Sequence, residues 1–347
     1  MLLGREAIDA TAAVERLAGM QAQVANAAYI GLWSRLEGFD RDDLTRAILD
    51  RRVVRATLMR GTLHLFSARD YLALRVALQP GISRAYRGFF GGRIRGLDVG
   101  AVVEELRGIF EERRHSHSEL RDRVARLHPD HDREMLAYTA RFNLPLVQVP
   151  PAGTWGSSGS VAYGLAEREL GARLEEEPGP REVIRRYLAA FGPASVADMQ
   201  TWSSIPALRG PVDEMRDELV TFRDEAGREL FDLPHAPRPD GEVPAPVRLL
   251  PEFDNLVLSH ADRSRVIADE HRSRVLLTGG RVRPTFLVDG FVSGTWKVER
   301  AKGTTTVVVE PFGRLSKRDR EAVGDEVAAL ERFLSGDLGS VDVVERR

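Results

Sequence analysis

Near the N-terminus the apolar positions recur at helical spacing. ATAAVERLAGM places its apolar side chains at three- and four-residue steps, and Gly19 supplies a stop. A second helical stretch, AAYIGLWSRL, aligns Ile30, Trp33 and Leu36, with Asn26 positioned to cap its start. Between the two lies QAQ. On a helix, residues i and i+2 point about 200° apart, whereas in an extended chain they face the same way. Two readings stand. One continuous helix with a tolerated glycine would leave both glutamines as ordinary surface residues. A non-helical link over residues 20–25 would present Gln21 and Gln23 together, with Ala22 packed behind.

Further along, three helix starts share a pattern. Asp40 and Asp43 precede Leu44, Ser116 and Glu119 precede Leu120, and Ser195 and Asp198 precede Met199. Each pair has the capping-box arrangement, at spacings of 76 and 79 residues. A second short helix and two apolar or β-branched segments around a turn are expected after each start: TLMRGTLHLF, then LPLVQVPPAGTWGSSGSVAYG, then LVTFRDEAGRELFDLP. Helix, turn, helix and ribbon is the winged-helix outline. Its repetition predicts a tandem array with units at 1–97, 98–175 and 176–236. After Pro234 the texture changes. HAPRPDGEVPAP reads as a linker, and VRLLPEF, NLVLS, RVLLTG, PTFLVDGFVSGTW and TTTVVVEPF read as strands, with VDG as a hairpin turn. SKRDREAVGDEVAALERFL closes a β-rich C-terminal module, 237–347. The fold class expected is mixed α/β (α+β, helix-rich).

Composition narrows the field. No apolar run is long enough to span a bilayer, and Arg5, Glu6 and Asp9 break the N-terminus before a signal peptide could form. The absence of cysteine removes disulfides and thiolate chemistry and fits a reducing cytoplasm. Net charge is only −2, but residues 51–95 hold ten arginines against one acid, Asp70. That segregation favours a polyanion such as duplex DNA, against the bland reading of a solvated face in an arginine-biased chain. Arg60, Arg84, Arg87, Arg93 and Arg95 are the candidate phosphate contacts, the last three in the Gly/Arg stretch RGFFGGRIRG. Gly61 and His64, in MRGTLHLF, would supply a turn and an imidazole facing DNA, or a structural histidine. HSH (115–117) and HPDH (128–131) do not make a convincing metal site, and P-loop, Rossmann and serine-hydrolase fingerprints are absent. No metal or cofactor is expected.

QAQ, RGTLHLF, LLPEFDNL followed by Asp262 and Arg263, and LVDGFVSGTWK occur in this order. In these motifs the chain resembles the AlkZ-like DNA glycosylases over nearly its whole length. The resemblance implies three tandem winged helices and a catalytic motif of glutamine, apolar residue, then glutamine or aspartate, which falls on Gln21, Ala22 and Gln23. It implies hydrolysis of the N-glycosidic bond of an N7-alkylated purine, in repair or toxin self-resistance, with bulky natural-product adducts or interstrand crosslinks within range. Such a base is cationic and departs neutral without a general acid. The remaining difficulty is the oxocarbenium-like sugar and the placing of water. Glutamine is too weak a base to deprotonate water, but it can accept from one, donate elsewhere, and aim a carbonyl dipole at the sugar. Asp254, Asn255 and Arg263 match the family's later motif and are expected to face DNA, and Trp296 is a wedge candidate or a core residue. A tandem array needs no dimer to embrace a duplex, so a monomer is expected. The competing function is a winged-helix regulator that binds DNA without catalysis.

Overall fold

The computed structural model describes residues 1–301, 304–335 and 344–345. Asp9 caps α1 (Ala10–Arg16), its carboxylate accepting from the N–H groups of Thr11 and Ala12. The chain then leaves the helix through Ala18 and Gly19, both at positive φ, and runs extended as β1 (Met20–Gln21) before α2 (Ala25–Trp33). The link reading of residues 20–25 is therefore the correct one. Asn26 is not the cap: Val24 precedes α2 with no side-chain bond, and Asn26 Oδ1 instead accepts from the Gly156 N–H at 3.0 Å.

Next come α3 (Arg41–Leu49), β2 (Val53–Thr57), β3 (Leu63–Ser67), α4 (Ala68–Leu74) and α5 (Gln79–Phe90). They are followed by α6 (Val99–Glu112), β4 (His115–Ser116), α7 (His117–Leu127), α8 (Arg133–Asn143), β5 (Leu146–Gln148), β6 (Ala162–Leu165) and α9 (Ala166–Leu170). A third run holds α10 (Pro180–Phe191), α11 (Val196–Ser203), α12 (Arg209–Glu214), β7 (Val220–Arg223) and β8 (Glu229–Asp232). All three capping boxes form, at α3, α7 and α11. They are out of phase, however. In the second and third runs a further helix follows the box, but α3 leads directly into β2. Matching the runs by topology pairs β1 with β4 and with the Ala194–Phe231 bridge, so α2 corresponds to α7 and α11. A capping box marks a helix start without saying which helix it is. The QAQ segment thus occupies the place where the other two runs put a capping serine.

The strand pairs following these helices do not all project as wings. β1-β3-β2-β5-β6-β4 form one six-stranded sheet, joined across its middle by Ala56 opposite Val147. β2, β3 and β5 are buried along their whole length. Sheet and core run across position 97 without a break, and the main apolar cluster extends from Ala18 to Phe231. Among the described residues β7 and β8 pair outside the two larger sheets, with Phe231 of β8 bridging Ala194.

The C-terminal part contains β9 (Arg248–Leu250), α13 (Asn255–Leu258), α14 (Arg272–Val275), β10 (Thr285–Val288), β11 (Phe291–Ala301), β12 (Thr304–Pro311), α15 (Lys317–Ser335) and β13 (Val344–Glu345). The strands pair in the order β13-β12-β11-β10-β9. Asp289 and Gly290, both at positive φ, make the expected VDG turn. NLVLS and RVLLTG are not strands. The first is α13, capped by Asp254, and the second closes α14 and turns; short apolar runs do not separate helix from strand by period. Trp296 is core: it is buried, and its Nε1 donates to the carbonyls of Leu250 at 2.9 Å and Thr285 at 3.1 Å. It is unavailable as a wedge.

This module packs on α2 through Ile30 and Trp33, which share a cluster with Phe286, Trp296 and Leu330. Beside that cluster, Arg35 makes a two-pronged bond to Asp254, at 2.8 Å on each oxygen, with both side chains almost fully buried. Removing one member strands the other charge in the interior, at a cost of roughly 3–5 kcal/mol. Asp254→Ala is therefore expected to lower unfolding free energy in urea by about that amount. A substitution of exposed Arg46, paired with Asp43, should change it by less than about 1 kcal/mol.

Candidate active site

The peptide from Leu17 to Gln23 is held on every side. The Asn255 amide donates to the carbonyls of Leu17 at 3.1 Å and Gly19 at 2.7 Å. A Cβ on Gly19 would lie 2.0 Å from the Phe66 ring, and its φ is +86°, so only glycine fits this exit from α1. Met20 and Gln21 pair with Leu65 and His64 on β3, and the Ala22 N–H donates to Leu63 O at 2.8 Å. From β2, the Arg55 guanidinium donates to the carbonyls of Ala22 at 2.9 Å and Gln23 at 3.2 Å, and reaches Gln148 Oε1 at 2.7 Å. Gln21 and Ala22 are both buried and Gln23 is exposed.

Both amides are oriented by protein donors. Gln21 Oε1 accepts from Arg60 Nη2 at 2.9 Å, and Gln23 Oε1 accepts from the Leu63 N–H at 3.2 Å. Arginine and a backbone N–H can only donate, which fixes the oxygen of each amide. Arg60 also donates to the Trp202 carbonyl at 2.7 Å and approaches His64 Nε2 at 3.2 Å. His64 Nδ1 lies 3.0 Å from Thr62 O, so the proton sits on Nδ1 and Nε2 accepts from Arg60. Arg60 holds this position at φ +57°, next to Gly61 at +69°, a conformation that costs a non-glycine residue about 1 kcal/mol or more. Burial first, then nearby Arg263, lower the Arg60 guanidinium to about 10. Burial and Arg60 push the His64 imidazole down to about 3.

The other expected contacts divide. Arg263 comes beside Arg60, its Nε bonded to Val257 O at 3.0 Å. Asp254 and Asn255 are buried clamps, and the expectation that they face DNA is corrected: one neutralises Arg35 and the other anchors the QAQ approach. The arginine excess is also smaller in space than in sequence. Arg51 pairs with Glu169, Arg69 with Glu15, and Arg93 with Asp132 at 3.0 Å; Arg55 and Arg75 are buried. Arg84, Arg87 and Arg95 stay exposed and unpaired among the described residues. His117 and His128 bond Glu134 and Glu105 respectively. Arg35 and Arg55 were not singled out from the sequence as site residues; a charge inside an apolar run, VVRAT, was the one signal for Arg55.

Residues 14–333 match the family described as DNA glycosylase AlkZ-like. The chain belongs to the AlkZ-like DNA glycosylase family. It is 29% identical to an interstrand DNA cross-link repair glycosylase of Streptomyces sahachiroi, over 93% of this chain and 90% of that one. The solved structure of the Streptomyces sahachiroi DNA glycosylase AlkZ superposes with a TM-score of 0.81 at 27% identity, covering 99% of this chain and 95% of that chain.

For an AlkZ-like glycosylase this site has a definite polarity. Each glutamine carbonyl has spent one lone pair on the protein, leaving one acceptor position and a free NH₂. His64 is a neutral spacer that buttresses Arg60, with no proton to offer near neutral pH. Because its folded-state affinity for a proton is depressed, its stabilising contribution is complete above the ordinary histidine range. It is lost as pH falls from there towards the folded value, since only the unfolded chain then binds the proton. The His64 ring signals in NMR should accordingly show no titration between about pH 8 and pH 5, while stability should decline as pH falls from the ordinary histidine value of 6.5 towards about 3.

Proposed function

We propose that this AlkZ-like glycosylase hydrolyses the N-glycosidic bond of N7-alkylated, cationic purines in duplex DNA, including bulky adducts and interstrand crosslinks. The product is an abasic site. The observation that carries the reading is a pinned, non-helical segment on which protein donors orient the amide oxygens of both Gln21 and Gln23. The name of the Streptomyces relative supports the crosslink range. The neutral polar site supports the substrate class. With no strong acid among the two glutamines, Arg60 and His64, it suits a leaving group that already carries positive charge. The remaining lone pairs on Gln21 and Gln23 can orient water, and their amide hydrogens can meet a phosphate or sugar oxygen.

The three helix–strand–helix–helix–ribbon runs are read as winged helices within 1–97, 98–175 and 176–236, with 237–347 as a C-terminal module. Burial of two ribbons in a common sheet favours a rigid monomeric platform over groove-probing wings. Exposed Arg84, Arg87 and Arg95 supply phosphate contacts of the salt-sensitive, sequence-independent kind. Repair and self-resistance to an alkylating product are the corresponding roles.

Incubation with duplex DNA containing 7-methylguanine should release the base and leave an abasic site. Gln21→Ala with Gln23→Ala should reduce single-turnover release by about 10² or more while duplex binding persists. Binding by the wild type without release of 7-methylguanine or a bulkier adduct would favour the regulator instead.

A further inference from the structure

The glutamines leave one requirement of hydrolysis unmet. Water that attacks a sugar must lose a proton, and a carboxamide cannot take it. Two carboxylates share a cleft with Gln21, and of these Asp254 is already paired, which leaves Glu252. Pro251, Glu252 and Phe253 form the turn between β9 and α13, and this turn is fixed at both ends. The Leu250 carbonyl accepts from the Trp296 indole, Asp254 is tied to Arg35, and Asn255 holds Leu17 and Gly19. Phe253 itself sits at φ +60°. The clamp that positions QAQ therefore also positions Glu252.

Glu252 and Gln21 line the same cleft, together with Met20, Ala27, Arg35 and Asn255. Its volume is about 10 Å³, room for about one water molecule. Among the charged groups of this cleft, Arg35 and Asp254 neutralise each other, so neither serves Glu252. Glu252 makes no hydrogen bond or ion pair with any described residue, although it is half-buried. An unpaired carboxylate in such a place costs stability, so a purely structural role gives no reason for it.

We propose that Glu252 is the proton acceptor of the glycosylase, taking a proton from a water held between its carboxylate and Gln21. The proposal rests on the hydrolytic reading above. As the water oxygen bonds to C1′, the C1′–N9 electron pair passes to the cationic base, which leaves neutral. The water proton moves to Glu252 and then to solvent. Burial raises the proton affinity of Glu252 above the ordinary glutamate range, which makes it a better acceptor. The base form must be ionised, so release should rise with pH through this raised value and then level off.

Single-turnover release of 7-methylguanine, duplex affinity and thermal melting are compared for wild type, Glu252→Gln, Glu252→Asp and Gln21→Ala. Glu252→Gln should lose about 10²-fold in rate and lose the acidic limb of the pH profile, with duplex affinity unchanged. Its melting temperature at neutral pH should equal or exceed the wild type's, because an unpaired charge has gone. Glu252→Asp should recover part of the rate and keep the limb. Glu252→Gln at wild-type rate, or with the limb intact, overturns the proposal. A rate loss accompanied by lower melting temperature or weaker duplex binding overturns it too. Release lost in Gln21→Ala but untouched in Glu252→Gln leaves the glycosylase reading standing alone, whereas wild type that releases nothing overturns both.

Discussion

The site depends on two neighbouring side chains of the C-terminal part, Asp254 and Asn255, gripping the N-terminal helices on either side of QAQ. Asn255 satisfies the carbonyls that the broken helix exposes at Leu17 and Gly19. Asp254 fixes the far side through Arg35. Without those partners, an exit at Ala18 and Gly19 would carry buried unpaired carbonyls, each costing about 1–3 kcal/mol. The non-helical course of the QAQ segment is therefore supplied by tertiary contacts. Local preference would as readily have continued the helix.

This explains what could be read from the chain and what could not. Capping boxes at Asp40, Ser116 and Ser195 were legible because they involve residues three apart. Their common phase was not, since which helix a box opens is decided by the strand it precedes or follows. The VDG turn was legible because Asp289 and Gly290 need only their own backbone. Asp254 and Asn255 were misplaced on the surface because a polar side chain in a buried clamp has the same letter as one in solvent, and of the two readings open for Trp296 the core one holds. The arginine excess of 51–95 overstated the field. Glu15, Asp132 and Glu169 fold back onto Arg69, Arg93 and Arg51 from elsewhere in the sequence.

Comparison of the three runs shows what the QAQ segment displaced. Ser116 and Ser195 begin their helices with side-chain caps, whereas α2 begins at Val24 with none. An N-cap is worth about 1 kcal/mol, and Arg60 adds strain of similar size through its left-handed backbone. The first run bears these costs because its sheet is continued by β5 and β6 of the second, and because the C-terminal part closes over it. Local instability at the chemistry is balanced by burial elsewhere.

The Asn255 bonds join residues 238 and 236 positions apart. During synthesis, the N-terminal half therefore emerges long before the residues that shape its reactive peptide exist. Until the ribosome has delivered the turn after β9, the carbonyls of Leu17 and Gly19 lack the partner that holds the QAQ peptide in its course. A truncation upstream of Asn255 therefore leaves the QAQ segment without its anchor.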